Sequence, residues 1–311
     1  MRSIRIAAAL AVVTLSQAAV AGAAELPLHV VVSIPPLAMI VSELGGDRVV
    51  VRSILPAGAD PHTFEPKPSD AAAVAAAHIV ISLGSAIDDW LGDTLDAPDG
   101  AIVVRLDAAP AESAASHDHE RDPHVWLDPS WVRDHAISPI YRALAEADPE
   151  GAPRYGVTAR AMSEALADLE TEVRGAFALA STRSFLAWHP AWNRFAERFD
   201  LHPVGSLGES EGREPSLRAM IDAVRAGRAA GVRAVLVEPQ IDPRQARVLA
   251  GELGVPLVTV DPLGGAWGLE RATYASLILF NVHAFQQALA VSLPKEAPPV
   301  SPIPEKPVRR Q

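Results

Sequence analysis

The chain has 311 residues, of which 49% are hydrophobic and 21% charged, enough to bury a sizeable core in two domains or one large one. A formal charge of −11 with no basic stripe excludes a nucleic-acid partner. The absence of cysteine excludes disulfides, thiolate metal ligands and a lipid carried on cysteine.

Residues 1–23 read as a secretory signal peptide. Arg2 and Arg5 give a positive start, Ile6 to Leu15 an apolar core too short to span a bilayer, and Ala19-Val20-Ala21 or Ala21-Gly22-Ala23 a cleavage site. No later stretch resembles a membrane span. The expectation is an exported protein of a Gram-negative periplasm with no stable membrane anchor.

The mature chain alternates strand and helix. His29 to Ser33 reads as a strand, and Pro35-Pro36 opens a helix that Gly45-Gly46 stops. Val49 to Leu55 is a second strand, leading into Gly58-Ala59-Asp60-Pro61-His62-Thr63-Phe64-Glu65-Pro66. Ser69 is placed to cap an alanine-rich helix, and Ile79 to Leu83, a helix near Ala86 to Leu95, and Ile102 to Leu106 follow. Such alternation favours a parallel sheet covered by helices. Asp107 to Arg121 reads as a loop carrying His117 and His119. Next comes Asp122-Pro123-His124-Val125-Trp126-Leu127-Asp128-Pro129, where Asp128 is an N-cap and Pro129 the first residue of a helix running to about Ala147.

From Arg154 to Ala178 the apolar residues keep helical spacing. At 1.5 Å per residue this helix is about 37 Å long, as long as a lobe is wide. The β-α pattern then resumes. Phe185 to Trp188 is a strand, and Ser216 caps a helix with Leu217, Met220, Ile221 and Val224 turned inward. Val232 to Val237 is a strand, Asp242-Pro243 starts a helix that Gly254 ends, Val255 to Val260 is a strand, and Tyr274 to Leu289 form a last amphipathic helix. The expected architecture is α/β, two β/α lobes with parallel sheets joined by one long helix. The divisions are a lobe at 24–150, a linking helix at 151–181, a lobe at 182–291 and a disordered tail at 292–311, rich in proline and charge.

Metal-capable side chains stand at strand ends or Asp-Pro corners: His62, His124, His189 before Pro190, and Asp261 before Pro262. Ligands of open α/β sheets bind outside the carboxyl ends of the strands. Zinc takes nitrogen and carboxylate ligands in a tetrahedron, so three imidazoles and one carboxylate suit it. Asp60 and Asp122 each precede a Pro-His pair and suit Asx-type bonding that holds the corner. Glu238 shares the strand-end address and is an alternative ligand or an acceptor that orients an imidazole. His117 and His119 are either an accessory metal-collecting loop or solvated loop residues. Trp126, Trp188 and Trp192 are walls of the site or ordinary core. His29, His78, His135, His202 and His283 read as structural. Asp261 alternatively caps a turn. In that case water fills the fourth position and Glu238 or Glu65 is placed to act as base, a zinc hydrolase.

At these residues the chain resembles the substrate-binding proteins of zinc and manganese ABC importers, the cluster A-I family. The matching blocks are Gly58 to Pro66 with Pro68-Ser69-Asp70, Asp122 to Pro129, His189-Pro190-Ala191-Trp192, Glu214-Pro215-Ser216, Glu238-Pro239-Gln240 and Asp261-Pro262-Leu263-Gly264. They occur in family order over nearly the whole mature chain. The resemblance implies two lobes on one rigid helix, metal in the cleft between them, and His62, His124, His189 and Asp261 as the ligands. His at position 189, where manganese members tend to have Glu, points to zinc over manganese or iron. Four protein ligands would close the zinc shell, which argues against enzymatic turnover; the expected partner is an inner-membrane ABC permease, and the expected state is a monomer. Two departures stand out: only His117 and His119 occupy the place of a long His-rich loop, and there is no cysteine for a disulfide. Binding needs deprotonated imidazoles, so affinity is expected to fall toward pH ~6.

Overall fold

The computed structural model describes residues 27–85, 87–94, 97–106, 122–207, 215–265 and 269–289. The expected signal peptide, the loop histidines His117 and His119, Glu214 and the expected tail lie outside them.

The first lobe holds strands β1 (Leu28–Val32), β2 (Val49–Ser53), β3 (Ile79–Ser82) and β4 (Ile102–Arg105), all parallel, in the order β2-β1-β3-β4. Helices α1 (Pro35–Gly45), α2 (Pro68–Ala75) and α3 (Asp89–Thr94) make the crossovers. The chain then enters α4 (Pro129–Trp131), a π-helical turn at Val132–Ala136 and α5 (Ile137–Ala147). Helix α6 (Ala152–Phe177) runs 26 residues, about 39 Å, into the second lobe. There β5 (Ser184–Ala187), β6 (His202–Ser206), β7 (Val235–Val237) and β8 (Leu257–Thr259) repeat the same order, β6-β5-β7-β8, again all parallel. Helices α7 (Asn193–Arg198), α8 (Leu217–Ala230), α9 (Arg244–Leu253) and α10 (Tyr274–Ala288) complete it. In both lobes the strand order reverses beside the first strand, which opens a crevice at the strand carboxyl ends.

Two packing facts fix how the lobes present that crevice. One continuous apolar core includes Ile40 and Trp126 of the first lobe, Leu166 and Val173 of α6, and Phe195 and Phe285 of the second lobe. Hydrogen bonds also cross between lobes. Trp126 Nε1–H donates to the Pro262 carbonyl at 2.7 Å, the Tyr274 hydroxyl donates to the Trp126 carbonyl at 2.8 Å, and the Arg198 guanidinium holds Asp128 at 3.0–3.2 Å. The lobes are therefore bonded to each other as well as to the linking helix.

Three local expectations are corrected. Strand β6, His-Pro-Val-Gly-Ser, was not expected; it is an edge strand, where a missing ladder donor at Pro203 is tolerated. Helix α2 begins after Lys67 rather than at Ser69, with Pro68 first and the Asp70 carboxylate accepting the Lys67 N–H at 2.9 Å. On α8, Ser216 caps as expected by accepting from the Ala219 N–H, but Leu217 and Ile221 are exposed, at 78% and 43%. That helix lies on the outside of the lobe and turns Ala219, Met220, Ala223, Val224 and Ala230 toward its core.

Candidate metal centre

Each Asp-Pro-His corner is built the same way. The Asp60 carboxylate accepts the His62 backbone N–H at 2.9 Å, and the Asp122 carboxylate accepts that of His124 at 3.0 Å. These are the Asx-type bonds the sequence suggested, two residues apart, with the intervening proline fixing φ. Asp122 does more: its Oδ1 also lies 2.8 Å from His124 Nδ1. That bond places the ring proton on Nδ1 and leaves Nε2 bare, as a metal ligand requires. His189 follows β5 directly and leads into a 3₁₀ turn at Pro190–Trp192.

The three rings converge from the two lobes. His62 Nε2 and His189 Nε2 are 3.3 Å apart, and His189 Nε2 and His124 Nε2 3.2 Å. Among the described residues these three form one cluster whose ligand atoms all lie within 4.8 Å of one another. Two nitrogens bound to zinc at 2.0–2.1 Å on a tetrahedron are about 3.3 Å apart, so the spacing fits that ion. His124 and His189 are buried and His62 is half-buried.

The electrostatics disfavour protonation of His189 and His62. Burial, then the positive charge His124 and His62 would carry, push the His189 pKa down to about 2. Burial and the His124 charge lower that of His62, against a smaller opposing pull from Asp60. Burial alone would raise the Asp122 carboxyl, but its bonds to His124 and the charge there hold it below the usual carboxylate range. The cluster is thus a set of imidazole nitrogens facing one another across the two lobes, an arrangement that a cation stabilises.

The carboxylates behave differently. Asp261 is fully buried and does not join the cluster. Its Oδ1 accepts from Gln240 Nε2 at 3.0 Å and from the Leu263 and Gly264 amides at 3.1 and 3.0 Å, and its Oδ2 accepts from Arg271 Nη1 at 3.0 Å. Glu238 also stays outside. It is buried, accepts from Trp192 Nε1 at 3.2 Å, and is driven well above the usual carboxylate range by burial and by the nearby Asp261 charge. A neutral acid in that place is no general base, and Glu65 is exposed. Trp126 flanks His124 with ring centroids 5.3 Å apart, whereas Trp192 packs on Phe195 and Phe285, and Trp188 belongs to the core of the second lobe. Arg271, Gln240 and Asn281 escaped the reading of the sequence; the Glu-Pro-Gln run carried the one available signal, for Gln240.

Residues 30–288 match the family described as zinc-uptake complex component A, periplasmic. The high-affinity zinc uptake system protein ZnuA of Brucella abortus is 27% identical, over 76% of this chain and 84% of its own length. The manganese-binding lipoprotein MntA of Halalkalibacterium halodurans is also 27% identical, over 85% and 89%. A crystal structure of ZnuA superposes with a TM-score of 0.74 at 27% identity, covering 84% of this chain and 98% of that one.

Proposed function

Because this chain belongs to the periplasmic zinc-uptake complex component A family, we propose that it captures zinc on His62, His124 and His189 and hands the ion to an ABC importer. Members of the family are metal-binding transport components that work with an importer permease, and the chain is accordingly not an enzyme. The observation that supports zinc is the convergence of three ring nitrogens, with His189 Nε2 3.2 Å from that of His124 and 3.3 Å from that of His62. Three nitrogens suit zinc better than the harder manganese, the metal in the name of the Halalkalibacterium relative. No described helix is long and apolar enough to cross a membrane. We read the chain as exported by residues 1–23, free of a lipid anchor because it has no cysteine, and monomeric. Zinc here is cargo, and the fourth position of its shell falls to water or to a side chain outside the cluster.

The test is zinc titration of the mature protein in competition with a chelating dye. A structural zinc site contributes about 10–16 kcal/mol over four ligands, so loss of one ring is expected to weaken binding roughly a hundredfold or more. His62→Ala, His124→Ala and His189→Ala each serve. Wild-type affinity in all three rejects the assignment.

A further inference from the structure

His124 and His189 come from different lobes, and each stands close in the chain to one end of the same ion pair. Just beyond His124, Asp128 caps α4 by accepting the Ser130 N–H at 2.9 Å. Just beyond His189, α7 ends at Arg198, whose Nε and Nη2 donate to the Asp128 carboxylate at 3.0–3.2 Å. Glu170 of the linking helix α6 is the hub of this junction. Its Oε2 accepts from the Ser130 hydroxyl at 2.7 Å and from Arg133 Nη1 at 3.3 Å, both of the first lobe. Its Oε1 accepts from Arg174 of α6 at 2.8 Å and lies 3.8 Å from Nη1 of Arg198, of the second lobe. Burial favours the neutral acid, but the Ser130 and Arg174 bonds and the Arg198 charge bring the Glu170 pKa to about 2.

An exposed ion pair adds little to a fold. Here the Arg198 side chain is 36% exposed, but Asp128 is only 9% exposed, the contact is bidentate, and the same guanidinium reaches an acid on the linking helix. Both lobes and the helix between them therefore meet at one group. The bonds of Trp126 and Tyr274 join the lobes at another place, through β8 and α10, and a second attachment limits rotation about the first. We propose that Arg198 is a positioning residue for metal capture: by strapping α7 to Asp128 and Glu170 it sets the separation of His189 from His124. Their Nε2 atoms stand 3.2 Å apart, and a metal site needs its ligands held within about 0.5 Å of the working geometry. This rests on the reading of His62, His124 and His189 as the ligands.

Titration with Zn2+ tests it on wild type, Arg198→Gln, Asp128→Asn and the double variant. Asparagine caps helices well, so Asp128→Asn keeps the start of α4 and removes only the charge pair. Each single variant is expected to bind zinc about tenfold more weakly, the size typical of groups that orient ligands. The double variant is expected to lose no more, because both changes remove one contact. A merely structural role is told apart by the distance between the lobes. The chain has no cysteine, so Ser42→Cys on α1 and Arg225→Cys on α8, both exposed, carry spin labels at defined places. Pulsed electron resonance is expected to give a narrow distance distribution with Arg198 present, a broad one in zinc-free Arg198→Gln, and a narrow one again when Zn2+ is added to that variant. Wild-type zinc affinity in folded Arg198→Gln, or a zinc-free distribution as narrow as that of wild type, overturns the proposal. Should Arg198→Gln fail to fold, Asp128→Asn carries the same two measurements. If the imidazole assignment is what fails, His124→Ala still binds zinc, while the zinc-free distance distribution continues to decide the role of Arg198.

Discussion

Asp122 does two jobs with one oxygen. It accepts the backbone N–H of His124 and faces the ring Nδ1, so it shapes the corner and sets the tautomer together. Groups that orient metal-binding imidazoles typically change metal affinity by about 10–100-fold. Asp122→Asn keeps a neutral acceptor and is expected to weaken zinc binding about tenfold, while Asp122→Ala, which removes the acceptor, is expected to approach a hundredfold. Isothermal titration of the folded variants checks both, and equal losses would mean that only the charge counts. The Asp-Pro-His corners were legible in the sequence because the bonds that make them span two residues. The fate of Asp261 was not. Its partners are Gln240 just after β7, Arg271 in a 3₁₀ turn at Leu269–Arg271 and Asn281 of α10, each distant in the chain, and no local pattern announces such partners.

At the scale of elements, the joint between α5 and the linking helix carries a compact polar knot. Arg48, in the 3₁₀ turn Gly46–Arg48, donates to both carboxylate oxygens of Asp148 at 2.6 and 2.7 Å, and the Tyr155 hydroxyl of α6 donates to the same group at 2.6 Å. The bond to Arg48 is the largest cause that brings the Asp148 pKa to about 2, against the opposing effect of burial. A carboxyl depressed in the folded state stabilises the fold above its ordinary pKa and loses that contribution as pH falls toward the folded value. The knot therefore holds α6 in place at neutral pH and releases it between about pH 4 and 2. Asp148→Ala is expected to lower stability at pH 7 by roughly 2–4 kcal/mol, since it strands the Arg48 and Tyr155 donors. Urea unfolding at pH 7 measures the loss, which should shrink near pH 3. Element identity was largely legible because β-α alternation and helix periodicity repeat over long windows. Strand β6 was not, since its Pro and Gly read as a loop and only its neighbour β5 makes it a strand. Nor was the outward turn of Leu217 and Ile221, which follows from how little of α8 its lobe covers.

For the molecule as a whole, a shared core and bonds between the lobes hold the three rings at a spacing that suits a metal. That preparation has a cost, which pH reveals. In the unfolded chain, histidine protonates near pH 6.5. In the fold, His189 resists protonation down to about pH 2, and the His62 pKa is also lowered. Below pH ~6.5 the unfolded state thus binds more protons than the folded one, and stability must fall as pH falls, by up to about 1.4 kcal/mol per unit for each such ring. The sign is opposite to that of a histidine stabilised by an acid, and the window opens higher than that of Asp148. Thermal unfolding of the metal-free protein from pH 7.5 to 5 should show a steady decline, and His189→Gln, which has no proton to refuse, should flatten it. Zinc binding tells the complementary story. His189, and in the same direction His62, resist protonation in the fold, so the logarithm of zinc affinity should fall between pH 7 and 5.5 with a slope under the three expected of three ordinary imidazoles. The decline toward pH ~6 expected from the sequence should accordingly be shallow, and a slope near three would show that His189 and His62 protonate in the fold as free imidazoles do.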